Sequence, residues 1–193
     1  MIGVGILAGG KSTRMGEDKA LLRVGNERII DRIIKQFADC GELVISCADR
    51  EDYSFTGIKC VADENEGIGP VEGIRRILTE TECDHVFVCA SDMPFVTKDA
   101  KRYLEQFISP EYDAYVFADE VHIHPLCAIY SKSILPVIEE AIASGNYRIR
   151  EVLDRVRTNY IDMSLSGLDR KTVSNINTKE EYYSLSDSLE GDQ

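Results

Sequence analysis

The sequence predicts an α/β fold, a mostly parallel sheet flanked by helices. Three observations predict it. Short apolar runs alternate with segments of helical spacing from end to end. The runs are apolar at successive positions rather than at every second one, as strands covered on both faces are. The first run opens directly into a glycine-rich loop. Together they specify a single-domain, Rossmann-like three-layer sandwich.

The strand-length runs are IGVGILA (2–8), LVISCA (43–48), IKCVA (58–62), HVFVCA (85–90), DAYVFA (113–118) and PLCAIY (125–130). Between them, Ile29, Ile30, Ile33, Ile34 and Phe37 recur at helical spacing, as do Ile74, Ile77 and Leu78, and then Tyr103, Leu104, Phe107 and Ile108. Thr97 is the expected cap of the third of these helices. Residues 133–144 and 149–156 read as two later helices and TNYIDM (158–163) as a late strand. No linker or internal repeat interrupts the pattern, so residues 1–183 are expected to form one domain, with the acidic, Ser-rich residues 184–193 as a frayed tail.

Lys plus Arg number 22 and Asp plus Glu 34, so the formal charge is 22 − 34 = −12. With 44% hydrophobic and 29% charged residues, the composition is globular rather than disordered. A chain of 193 residues can bury roughly 70% of its unfolded surface. The acidic balance argues against a nucleic-acid partner, and any polyanionic ligand needs cations concentrated locally. No apolar run reaches the roughly 18 residues of a membrane span and the N-terminus lacks a basic leader, so the expectation is a cytoplasmic protein with no membrane partner. Cysteines 40, 47, 60, 83, 89 and 127 form no CxxC pair and read as buried thiols in a reducing compartment. The oligomeric state stays open, a monomer included.

The cations are concentrated in the loop after the first strand, Leu7-Ala8-Gly9-Gly10-Lys11-Ser12-Thr13-Arg14-Met15-Gly16-Glu17-Asp18-Lys19. Such a loop opens at the carboxyl edge of a parallel sheet, where its bare amides can face phosphates. A Cβ at Gly9 or Gly10 would block that approach, and Lys11, Arg14 and Lys19 supply a positive field. Gly5 to Ser12 also fits GxxxxGK[ST], with Asp92 after HVFVCAS as an acidic companion. The context disagrees: Ile6, Leu7 and Ala8 continue a buried strand, and Gly16 falls where the helix of a true phosphate loop must run. Asp92 also admits a helix-cap reading, and Asp63 that of an ordinary turn acid.

The opening segment resembles the signature of nucleotidyltransferases that share LAGGxxxRMGxDK, and among them it is most similar to the molybdenum cofactor guanylyltransferases, the MobA-like family. VADENEGIGPVEGI (61–74), with Asp63, Gly69-Pro70 and Gly73, resembles that family's base-binding segment. Ser91-Asp92-Met93-Pro94 resembles its metal-binding CDxP, His124-Pro125-Leu126 its HP segment, and Asn175-Ile176-Asn177-Thr178 its NxNTP. Three positions depart from the pattern: Cys47 where a polar residue near the base is usual, Glu72 for a small residue, and Lys179 for proline.

The resemblance implies a nucleotide-diphospho-sugar transferase-like fold and a guanylyltransferase. GTP and molybdopterin are the implied substrates, Mg²⁺ the implied cofactor and pyrophosphate the leaving product. Catalytic roles fall to Arg14 and Lys19, on the triphosphate, and to Asp92, which holds the metal. Leu7, Ala8, Gly9, Gly10, Lys19, Asp63 and Asp92 form the nucleotide-binding set, Asp63 accepting from guanine N1 and N2. The roles of Lys11, Asn177, His124, Arg148 and Arg150 stay open; the two arginines are expected on one side of an extended lead-in to a helix, suited to the acceptor. A cytidylyl- or other nucleotidyltransferase, a phosphate-loop NTPase and a non-catalytic nucleotide-binding protein remain as alternatives.

Overall fold

β1 (Ile2–Leu7) is an interior strand, third from one edge, of a seven-stranded sheet. Its glycines let a helix lie directly on it: a Cβ on Gly5 would fall 2.6 Å from Ile77 Cγ2. The computed structural model describes residues 1–9, 18–65, 67–176, 178 and 180–183. After β1 come β2 (Arg23–Val24), β3 (Glu27–Arg28), α1 (Ile29–Phe37), β4 (Leu43–Cys47), β5 (Lys59–Ala62), α2 (Pro70–Glu80) and β6 (His85–Ala90). Then come α3 (Lys98–Glu105), β7 (Ala114–Ala118), β8 (Ile123–Ser131), α4 (Leu135–Ala143), α5 (Ile149–Leu153) and β9 (Thr158–Asp162).

The strand order is β5-β4-β1-β6-β8-β7-β9. β1 pairs in parallel with β4 and β6, β4 with β5, and β7 with β9, whereas β8 runs antiparallel between β6 and β7. The seven main strands fall on the seven expected runs. β8 reverses because residues 119–122 between β7 and β8 are too few for a crossover. β2 and β3 form a separate two-stranded ribbon that the sequence does not announce; at two residues each they carry no periodicity to detect.

Two cores cover the sheet. One gathers Ile29, Ile30, Ile33 and Phe37 of α1 with Ala100 and Leu104 of α3; the other gathers Val71, Ile74, Ile77 and Leu78 of α2 with residues of α4 and α5. These four apolar side chains of α1 are fully buried, each contributing about 1.5–3 kcal/mol relative to exposure. The result is three layers, helices on each side of one sheet. α3 ends at Glu105, before Phe107 and Ile108, so its helical pattern outruns the helix. Thr97 does occupy the N-cap position, with extended backbone, but its side chain makes no capping hydrogen bond. Cys47, Cys83, Cys89 and Cys127 are buried, whereas Cys40 and Cys60 are partly exposed, against the expectation for those two. No described helix is long and apolar enough to cross a membrane. The tail at 184–193 lies outside the described residues.

Candidate active site

From β1 the chain runs to β4 and β5 on one side, then returns to β6 on the other. Strand order therefore reverses beside β1, and a crevice opens there at the carboxyl ends, the place where such sheets bind ligands. Backbone hydrogen bonds continue past the strand ends and fix its rim. Ala8 N donates to Ser46 O at 2.7 Å, Asp63 N to Cys47 O at 2.9 Å, and Ser91 N to Leu7 O at 2.9 Å.

The crevice is a cavity of about 310 Å³ that brings together Leu7, Ala8, Gly9, Lys19, Asp63 and Asp92. These are six of the eight residues expected at the site. The other two, Gly10 and Arg14, lie outside the described residues, as do Lys11 and Asn177. Ile6 and Leu7 are strand, so the residues that would wrap around phosphate in a GxxxxGK[ST] loop are instead paired in the sheet.

Lys19 Nζ donates to Asp92 Oδ2 at 3.2 Å. The other oxygen, Asp92 Oδ1, is buried and has no hydrogen-bond partner among the described residues. Burial pushes the Asp92 carboxyl above its ordinary range, and the Lys19 ammonium pulls it part of the way back. Asp92 is not a helix cap, since it lies just past the end of β6 and a separate turn precedes α3. Two long-range contacts steady the segment: Arg32 Nε donates to Pro94 O at 2.9 Å, and Ile176 N to Asp92 O at 2.9 Å.

Across the cavity, Asp63 Oδ1 accepts from Ser46 Oγ at 2.9 Å. Burial raises the Asp63 carboxyl, and the Ser46 hydrogen bond opposes the shift. A Cβ on Gly9 would come within 3.1 Å of Asp63 Oδ2. A Cβ at this position would press on the Asp63 carboxylate, a close approach the loop sequence does not reveal. Gly69, at the N-cap of α2, has φ +83°, a left-handed conformation that favours glycine. It lines the cavity beside Pro70 and Gly73.

Several residues at the site take places that the sequence does not assign to them. Cys47 marks a departure near the base, yet Ser46 lines the cavity while Cys47 packs into the opposite core with Ile45 and Tyr53. Successive strand residues face opposite sides, so a shift of one position exchanges thiol for hydroxyl. Asn175 lines the cavity as well, two positions before Asn177. Tyr53, fully buried, donates its hydroxyl proton to Asp18 Oδ2 and lies 3.3 Å from the Ala8 carbonyl oxygen. Asp18 Oδ1 in turn accepts from Ala20 N at 3.0 Å and caps the short 3-10 turn that carries Lys19. One phenol thus joins both ends of the glycine-rich loop. Tyr53→Phe is expected to lower stability by about 1–3 kcal/mol, because Asp18 loses a buried donor. Urea denaturation of the two proteins measures it, and unchanged stability would assign the Asp18 carboxylate to solvent.

The remaining candidates lie elsewhere. His124 Nε2 sits 3.3 Å from Asp119 Oδ2 near the start of β8, and neither residue lines the cavity. Arg148 is extended at the N-cap of α5, exposed and 3.4 Å from Glu151 Oε1. Arg150 is inside α5 and faces a separate cavity with Asp119, Glu120 and Asp154. The two arginines therefore do not share one extended side, because the helix begins between them. The surroundings of Arg150 are net negative and unsuited to an anionic acceptor.

A switch-point crevice lined by Gly9, a Lys–Asp pair and an opposed carboxylate defines the class: an α/β protein with a ligand crevice at the carboxyl edge of its sheet. The model of the MobA-like NTP transferase domain matches residues 4–159, and the chain belongs to that family. It is 32% identical to the probable molybdenum cofactor guanylyltransferase of Carboxydothermus hydrogenoformans, over 94% of this chain and 93% of that one. It is 35% identical to the protein of the same name from Aquifex aeolicus, over 91% and 86%. The crystal structure of molybdopterin-guanine dinucleotide biosynthesis protein A from Archaeoglobus fulgidus shares the fold, with a TM-score of 0.85 at 24% identity over 98% of this chain and all of that one.

Proposed function

We propose that this chain is a Mg²⁺-dependent guanylyltransferase that transfers GMP from GTP to the phosphate of molybdopterin cofactor and releases pyrophosphate. The carrying observation is the pair of carboxylates on opposite walls of one cavity. Asp92 is paired with Lys19 on one wall, and Asp63 is oriented by Ser46 on the other. That division suits a ligand with a polyphosphate end and a hydrogen-bond-donating base. The names of the relatives above support the substrates.

The residues fit a hard divalent cation. Asp92 Oδ1 is a buried anionic oxygen without a partner among the described residues, and Mg²⁺ commonly takes one or two carboxylates while keeping several waters. Bound there, Mg²⁺ supplies charge neutralisation to the triphosphate. In the transfer, an acceptor phosphate oxygen forms a bond to the α-phosphorus as the bond to the β-phosphate oxygen breaks. Lys19, and Arg14 from the same loop, balance the charge that moves onto pyrophosphate, and Asp63 accepts from guanine N1–H and N2–H. Positioning and fixed charge suffice, and no covalent nucleophile is needed.

The test offers the protein each of the four ribonucleoside triphosphates with Mg²⁺, then adds purified molybdopterin and reads pyrophosphate. GTP should raise the melting temperature, by ligation worth about 2.7 kcal/mol at a hundredfold excess over Kd, and pyrophosphate should appear with molybdopterin. A rise with CTP alone would indicate a cytidylyltransferase. Free phosphate in place of pyrophosphate would indicate an NTPase, and GTP binding without either product a carrier.

A further inference from the structure

Glu72 stands at the third position of α2 and is fully buried, although the first turn of a helix ordinarily presents a glutamate to solvent or back to its own cap. Its carboxylate instead reaches the segment after β5. Oε1 accepts from Glu64 N at 2.9 Å and from Asn65 N at 3.2 Å, and Oε2 accepts from Asn65 Nδ2 at 3.3 Å. Arg75 grips the same carboxylate from behind, with Nε 2.9 Å from Oε2 and Nη2 2.9 Å from Oε1.

Arg75 and Arg76 also converge on Glu64, at 2.6 Å each, and Arg76 Nε donates to Ala62 O at 3.0 Å. With the Asp63 N to Cys47 O bond, every residue from 62 to 65 has a backbone polar group held in place. Burial alone would raise the Glu72 carboxyl, but Arg75, the Glu64 amide and the Asn65 side chain outweigh it and hold it at about 2, so the acceptor stays charged through the neutral range. The residue at the centre of this clamped segment is Asp63, whose side chain faces the cavity.

We infer that Glu72 is a positioning residue for nucleotide selection: by anchoring the amides of Glu64 and Asn65, it fixes the aim of the Asp63 carboxylate at the base. The inference rests on the reading of Asp63 as the acceptor of guanine donors. A carboxylate that takes two donors from one base edge must be held to within about 0.5 Å, which a segment hydrogen-bonded only to water does not provide. Arg75 completes the brace because a lone buried carboxylate would be too costly to keep ionised, and Arg76 adds to it through Glu64 and Ala62. Glu72 itself does not line the cavity, so its effect on substrate passes through Asp63.

The experiment compares GTP with ITP, which lacks the 2-amino donor, in the wild-type protein and in Glu72→Gln, by titration calorimetry and by steady-state transfer. In the variant, KM for GTP should rise about 10- to 100-fold, the range seen when a partner that orients a ligating group is lost. ITP should suffer less, so the GTP-to-ITP preference falls, while kcat at saturating GTP holds. A change confined to stability, with the preference intact, overturns the inference. If Glu72→Gln does not fold, Arg75→Lys carries the test, since it keeps the charge but removes the two-point grip on the Glu72 carboxylate. An unchanged preference there likewise overturns it. A wild-type protein that does not prefer GTP over ITP and ATP refutes the guanine reading itself, a result distinct from either of these.

Discussion

Replacing Asp92 with alanine is expected to abolish nucleotidyl transfer while the protein stays folded. The side chain sits at the carboxyl end of β6 with one oxygen accepting from Lys19 and the other buried without a partner among the described residues. An anionic group so largely removed from water costs free energy that the fold must supply. Its loss should leave the urea midpoint unchanged or higher, as when a strained functional group is removed from an active site. Pyrophosphate release from GTP, Mg²⁺ and molybdopterin should fall to background, and added Mg²⁺ should no longer increase the thermal shift caused by GTP. Full activity in Asp92→Ala would take the metal role away from this residue; an unfolded variant would show the carboxylate to be a structural group.

Lys19→Ala is expected to reduce transfer by at least about 10²-fold, the scale of losing one preorganised charge-stabilising group. The ammonium is not left to find its own position. Asp18 caps the turn that carries it, Tyr53 holds Asp18, and Asp92 accepts from it on the same wall of the cavity. That preorganisation is what makes a single charge effective, because little reorganisation is needed as charge moves onto the leaving pyrophosphate. Lys19→Arg keeps the charge but not the compact ammonium geometry, and should recover only part of the rate. Normal turnover in Lys19→Ala would place the triphosphate elsewhere on the sheet edge.

Both predictions concern residues that the sequence marks on its own. Asp92 closes an apolar run at a strand's carboxyl end, and Lys19 closes a cluster of glycines and cations in an otherwise acidic chain. Asp63 is marked in the same way, as the acid after the run at 58–62. Residues of this kind are legible because strand ends are legible: where the apolar run stops, the next polar side chains stand at the edge of the sheet. The short path from β7 to β8 is equally readable as a hairpin, and it accounts for the antiparallel strand within the sheet.

The support behind these residues is not legible. Tyr53 is 35 positions from Asp18, and Ser46 is 17 from Asp63. Glu72 reads in the sequence as a mere substitution in a helix, and only its contacts with Glu64 and Asn65 give it a role.

By itself, then, the sequence determined the alternation of strands and helices, the glycine-rich turn at the head of the sheet, and the charged groups at the strand ends. All of these derive from local periodicity and from residue types that only certain backbone positions accept. The tertiary structure alone decided which face Ser46 and Cys47 take, why Gly9 lies so close to Asp63, and how Tyr53 and Glu72 hold the two walls of the cavity. Those facts depend on which strands become neighbours, and pairing between segments far apart in the chain leaves no periodic trace in either one.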